Sequence, residues 1–144
     1  MGIFDEDKTS GFGTYHFSSG AVIEGYFSPD GYLQSEGCVR YANGVKYKGK
    51  FKDSLKHGDG VLTFEDGSIY SGEFSHDFRA GHGVMDFVNG TKYEGIWLDD
   101  LYHGLGKLSY STGQIYTGVF FYYKNIYINL FVFLSPNFFI YNTR

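Results

Sequence analysis

Glycine returns at a fixed interval in this chain. Gly37, Gly60, Gly83 and Gly106 are evenly spaced, each at the twenty-third position after the one before, and each opens the same pattern. An aromatic stands four residues on (Tyr41, Phe64, Phe87, Tyr110) and a glycine seven on (Gly44, Gly67, Gly90, Gly113). A tyrosine stands ten on (Tyr47, Tyr70, Tyr93, Tyr116), a glycine twelve on (Gly49, Gly72, Gly95, Gly118) and a large aromatic fourteen on (Phe51, Phe74, Trp97, Phe120). A further glycine (Gly58, Gly81, Gly104) precedes the next start by two. A weaker copy begins at Gly13 with Phe17, Gly20, Gly25 and Phe27. There Ile23 replaces the tyrosine, Ser35 replaces the late glycine, and the step from Gly13 to Gly37 is longer than the others by a single residue. A period in this range marks a repeat architecture, in which each unit buries its apolar face against its neighbours.

Each unit reads as a β-hairpin. Gly60-Val61-Leu62-Thr63-Phe64 and Ser68-Ile69-Tyr70-Ser71-Gly72-Glu73-Phe74 are short, β-branched and aromatic, and they flank Asp66-Gly67; Asn43-Gly44 and Asn89-Gly90 mark the same place in other units. Parity decides the turn length, because side chains alternate faces along a strand and one extra loop residue flips one strand. A two-residue Asp66-Gly67 loop would pair Thr63 with Tyr70 and put Phe64 and Tyr70 on opposite faces. A three-residue loop, Glu65-Asp66-Gly67, pairs Phe64 with Ser68 and Leu62 with Tyr70. It gathers Leu62, Phe64, Tyr70 and Phe74 on one face, so it is the expected turn, closed by Gly67 in the left-handed region. Glycines two residues before and after the aromatics fall on that face and leave room for rings to lie over the backbone. A lone hairpin is marginal in water, so the fold expected is all-β: an elongated array of antiparallel hairpins in one twisted sheet.

These residues resemble the MORN (membrane occupation and recognition nexus) repeat, whose pattern runs Tyr-Glu-Gly-Glu-Trp, a spacer, then His-Gly-x-Gly. Tyr93-Glu94-Gly95-Ile96-Trp97 with His103-Gly104-Leu105-Gly106 carries the likeness, as do Tyr47-Lys48-Gly49-Lys50-Phe51 with His57-Gly58-Asp59-Gly60, and Tyr70-Ser71-Gly72-Glu73-Phe74 with Gly81-His82-Gly83. The resemblance covers about residues 11–120. It implies an array that serves as a scaffold in cytoskeletal, ciliary or membrane-junction settings, or that precedes a lipid-kinase or lysine-methyltransferase domain. It implies no reaction of its own.

The whole chain is 144 residues long, room for one domain and not for a catalytic domain beside the array. Residues 1–10 are expected to flank it. Sixteen acidic against 12 basic residues give a net charge of −4, which is no footprint for nucleic acid. The single cysteine, Cys38, has no partner for an internal disulfide and fits a reducing, cytoplasmic setting, peripheral to a membrane or the cytoskeleton. All 21 glycines lie between Gly2 and Gly118. The 121–144 tail is rich in Phe, Tyr, Asn and Ile and reads as foreign to the array, as translated intron or frame-shifted sequence would, with a capping strand or a membrane span as the alternatives. Its longest clean apolar run, Leu130 to Leu134, is far short of the roughly 20 residues of a membrane span.

Candidate chemistry is sparse. His57 and His103 hold equivalent places two units apart, roughly 19 Å at the spacing of strands, too far to share a zinc ion. Ser75-His76-Asp77 has the letters of a hydrolase triad, but triads converge from separate segments. Gly104-Leu105-Gly106-Lys107 lacks P-loop spacing. No metal, cofactor or catalytic role is expected. Two surfaces remain. Lys46, Lys48, Lys50 and Lys52 alternate along one strand with Arg40 opposite Lys46, and could hold phosphate headgroups of an anionic membrane. The aromatic columns, Tyr47, Tyr70, Tyr93 and Tyr116 beside Phe51, Phe74, Trp97 and Phe120, would leave a one-layer sheet with an open apolar face. That face is the expected docking site for a helix or an extended peptide of a protein partner.

Overall fold

The computed structural model describes residues 10–123 and 126–132, the stretch 122–132 through its backbone alone. The flank read at 1–10 lies outside the described residues except for Ser10, and so does the end of the tail, 133–144. Eleven strands follow one another: β1 (Gly11–His16), β2 (Val22–Phe27), β3 (Leu33–Arg40), β4 (Lys46–Lys52), β5 (Leu55–Thr63), β6 (Ile69–Ser75), β7 (Phe78–Asp86), β8 (Lys92–Leu98), β9 (Leu101–Ser109), β10 (Ile115–Tyr123) and β11 (Ile126–Val132). Each pairs antiparallel with the next in a single open sheet, and there is no helix among the described residues. The fold is the all-β hairpin array expected. β10 and β11 carry the sheet into the tail, with Phe120 opposite Phe131.

Two kinds of turn alternate. At one end Phe64 N donates to Ser68 O (2.8 Å) and Gly67 N to Phe64 O (3.0 Å), with Gly67 at φ 90° and Leu62 opposite Tyr70. This is the three-residue loop that parity demands. At the other end a two-residue turn has both residues left-handed: Asp53-Ser54 (φ 51° and 64°), His76-Asp77 (49° and 74°) and Asp99-Asp100 (48° and 67°). Short polar side chains tolerate that region best, which explains the Asp and Ser there. In the degenerate unit, a longer Ser28–Tyr32 loop takes this place, with Ser28 N bonded to Tyr32 O, and absorbs the one extra residue.

One glycine row crosses the sheet. Gly13, Gly25, Gly37, Gly49, Gly60, Gly72, Gly83, Gly95, Gly106 and Gly118 sit opposite one another, strand after strand, from β1 to β10. Just beyond it, the strand after each two-residue turn carries two extra residues, a bulge. Gly49 faces Gly60 while Phe51 already faces Lys56, and β6–β7 and β8–β9 repeat the offset. The late glycines of the repeat lie in these bulges at positive φ, Gly58, Gly81 and Gly104; in the degenerate unit Ser35 adopts the same region at φ 59°. A bulge bends its strand and sharpens the local twist.

Candidate functional site

The tyrosine column is placed by the glycine row. A Cβ on Gly60 would stand 2.6 Å from Cζ of Tyr47, and one on Gly83 2.6 Å from Cζ of Tyr70. The rings therefore lie on bare backbone. Each hydroxyl reaches three residues ahead and donates to the carbonyl beside the bulge: Tyr47 to Lys50 O, Tyr70 to Glu73 O and Tyr93 to Ile96 O, all at 2.9 Å. Rings of the second column pack edge-on against the tyrosine of the unit before, Phe74 on Tyr47, Trp97 on Tyr70 and Phe120 on Tyr93, with centroids 5.0–5.1 Å apart. The Trp97 indole N–H donates to Gly83 O (3.1 Å).

A third column covers these rings. It runs Leu33, Lys56, Arg79, Tyr102, the second residues after the two-residue turns or their equivalent. The Arg79 guanidinium lies 4.4 Å from the Trp97 centroid, and Tyr102 stacks on Tyr93 at 3.8 Å. Leu33, Lys56 and Arg79 are each fixed by a clip to the turn of the next unit. Lys56 N donates to Asp77 Oδ1 (2.9 Å) while Asp77 N donates to Lys56 O (3.0 Å), and Arg79 and Asp100 repeat both bonds. Leu33 and Ser54 do the same with a hydroxyl in place of the carboxylate. The pairs Lys56–Asp77 (3.0 Å) and Arg79–Asp100 (2.9 Å) add charge to the clips.

The aromatic face is consequently not the open surface expected of one layer. Tyr47, Phe51, Tyr70, Phe74, Tyr93, Trp97 and Phe120 are at most 6% exposed, and Tyr116 is half-buried. The clipped column closes over the rings, Arg79 on Trp97 and Tyr102 on Tyr93. Desolvation pushes the phenols of Tyr47, Tyr70 and Tyr93 well above their usual range and Tyr102 up to about 12.

Over the first two hairpins the face opens. There Ile23 stands where later units have tyrosine, and Leu33 where they have a long covering side chain. Leu33 lies over Gly25 and Gly37, filling the ring's place, and the volume lost leaves a groove of about 670 Å3. Tyr15, Phe17, Ile23, Val39 and Tyr41 line it, with Lys56 and Asp77 at its inner end. Tyr15, Phe17 and Tyr41 are 38%, 43% and 47% exposed. Tyr47 and Phe51, which also line it, stand among the sequence-predicted site residues, and the exposed rings Tyr15, Phe17 and Tyr41 do not; the signal that marks the groove is the degenerate spelling of the first unit.

The lysines fall where parity puts them. Lys46, Lys48, Lys50 and Lys52 are exposed on one face of β4, and Arg40 is opposite Lys46. Acidic groups interrupt the stripe: Lys50 Nζ pairs with Asp59 (3.1 Å) and has Glu36 across from it. His57 meets the ring of His76 at 5.5 Å. Ser75 Oγ does lie 3.0 Å from His76 Nδ1, but the Asp77 carboxylate is turned to Lys56 and orients no imidazole.

A family model of the MORN repeat matches residues 1–22, 47–69, 70–92 and 93–115, so the match takes in residues 1–10 as well. No curated protein sequence matches. Among solved structures the array is similar to the SAS-4 (dCPAP) TCP domain of Drosophila melanogaster, solved in complex with a proline-rich motif of Ana2 (dSTIL). The identity is 14% and the TM-score 0.48, over 76% of this chain and 59% of that one.

Proposed function

Because the chain belongs to the MORN repeat family, matched over more than half its length, we propose that it is a non-catalytic interaction module that takes a protein partner in the groove over its first two hairpins. The observation that carries this is the contrast along one face: sealed rings from Tyr47 onward, and exposed Tyr15, Phe17 and Tyr41 around an apolar groove before it. Exposed aromatic rings in a concave site supply the area that desolvates on binding, and a helix or an extended peptide fits such a groove. The later part of the ladder then acts as the rigid core behind the site. The lysine stripe on β4 is a secondary contact for anionic lipid, salt-screened and weakened by Glu36 and Asp59. The lone Cys38 supports a cytoplasmic setting.

The test compares two double variants of the full chain. Phe17→Ser with Tyr41→Ser is expected to weaken capture of partners by about tenfold or more, with the circular dichroism spectrum unchanged. Lys48→Glu with Lys52→Glu is expected to reduce only binding to anionic vesicles at low salt. Undiminished capture by the groove variant, together with loss of cellular localisation in the lysine variant, would reverse the ranking of the two surfaces.

A further inference from the structure

We propose that His57 and His76 form a two-imidazole site for a divalent transition cation such as Zn2+, which would bridge the joint between two repeat units. The two histidines hold unequal places in the repeat and are brought together by the clip. Lys56 N donates to Asp77 Oδ1 (2.9 Å) and Asp77 N to Lys56 O (3.0 Å). This pairing sets His57, the residue after Lys56 on β5, beside His76, the residue before Asp77 in the two-residue turn. The same two places face each other at the preceding clip. There Gln34 Nε2 donates to Asp53 Oδ1 (2.8 Å) and Asp53 N to Gln34 Oε1 (3.2 Å). At the following clip they hold Ala80 and Asp99, so the imidazole pair belongs to this joint and not to the repeat in general.

The geometry suits a single ion. The ring centroids stand 5.5 Å apart with their planes at 82°. Zinc–nitrogen bonds of about 2.1 Å in a tetrahedral shell put the centroids of two bound imidazoles roughly 5 Å apart, so little movement closes the pair. Ser75 Oγ lies 3.0 Å from His76 Nδ1. With Nδ1–H donating to that oxygen, the lone pair for the metal is on Nε2, and the hydrogen bond orients the ring as such bonds do for ligating histidines. The ammonium of Lys56, next in sequence to His57, is neutralised by Asp77 at 3.0 Å, which weakens its repulsion of a cation. Among the described residues no group of three metal-ligating side chains forms, so the protein supplies two ligands here and water the rest. Imidazole nitrogen selects zinc, copper or nickel over magnesium and calcium.

Zinc chloride titrated into the full chain tests the pair. Proton NMR is expected to show the imidazole signals of His57 and His76 shifting together, with those of His16, His82 and His103 in place. His57→Gln and His76→Gln should each weaken binding, measured by calorimetry, by about tenfold or more, and Ser75→Ala, a positioning change, by about tenfold. His103→Gln, at the repeat position equivalent to His57, should leave the affinity unchanged. Because the ion would tie two units of the folded chain, saturating zinc should raise the urea midpoint of the unsubstituted protein and not that of His57→Gln, with the circular dichroism spectra of the two alike. Shifts at His82 or His103 in place of the pair, or an affinity indifferent to His57→Gln and His76→Gln, overturns the proposal. A midpoint raised equally with and without His57 overturns it as well.

Discussion

Gly83 and Tyr70 show why a residue as featureless as glycine recurs so strictly here. The ring needs bare backbone beneath it, and its hydroxyl needs the Glu73 carbonyl within 2.9 Å. Gly83→Ala would place a methyl 2.6 Å from Cζ of Tyr70, with the ring held on both sides by Phe74 and Trp97. A loss of about 2–3 kcal/mol is expected, the scale of an overpacked core, and a urea melt measures it. Tyr70→Phe keeps the ring and removes only the donor, so it should cost about 1 kcal/mol. If the two substitutions proved equal, the ring would not be resting on the glycine. Both partners are legible in the sequence as a spaced pair, since a side chain of fixed length over a strand of fixed rise leaves one place for the gap.

Within one turn, two neighbouring left-handed residues have different work. His76 (φ 49°) contributes its backbone and an exposed bond to Ser75, while Asp77 (φ 74°) holds the Lys56 amide and ammonium. His76→Gly relieves left-handed strain worth about 1 kcal/mol and should leave the melting temperature unchanged or higher. Asp77→Gly gains the same relief but loses a hydrogen bond to a charged acceptor, worth about 1.5–3 kcal/mol. It should therefore be destabilising by about 1 kcal/mol. Thermal melts of the two variants, moving in opposite directions, would identify the clip as the element that joins units. The clip is hidden in the sequence because its partners are separated by most of a unit and differ in kind, Leu33 with Ser54, then Lys56 with Asp77. Only the backbone half of the contact is shared.

Across the whole array, the buried phenols tie stability to alkali. A tyrosine whose folded pKa is raised favours the neutral ring in the folded state. Its contribution is complete below the unfolded value near 10 and fades as pH rises through the folded value, about 12 for Tyr102. Tyr47, Tyr70 and Tyr93 are pushed up further by the same desolvation. The urea midpoint should hold steady up to a pH of about 10 and then fall steeply. Phenolate absorbance should show these four tyrosines ionising with unfolding, after the exposed ones. Smooth titration of all 14 tyrosines together, with no change in the midpoint, would contradict a sealed column.

The repeat period, the hairpins, the three-residue turn and the face shared by Leu62, Phe64, Tyr70 and Phe74 follow from sequence alone. Each depends on local geometry: a strand alternates with period two, and Asp-Gly closes one kind of loop. What covers that face was decided by tertiary structure. Arg79 and Tyr102, held above the sheet after the turns, close over the rings, while Ile23 and Leu33 leave the first units open. Spacing reports which residues share a side of the sheet; only contacts between units determine whether that side meets water.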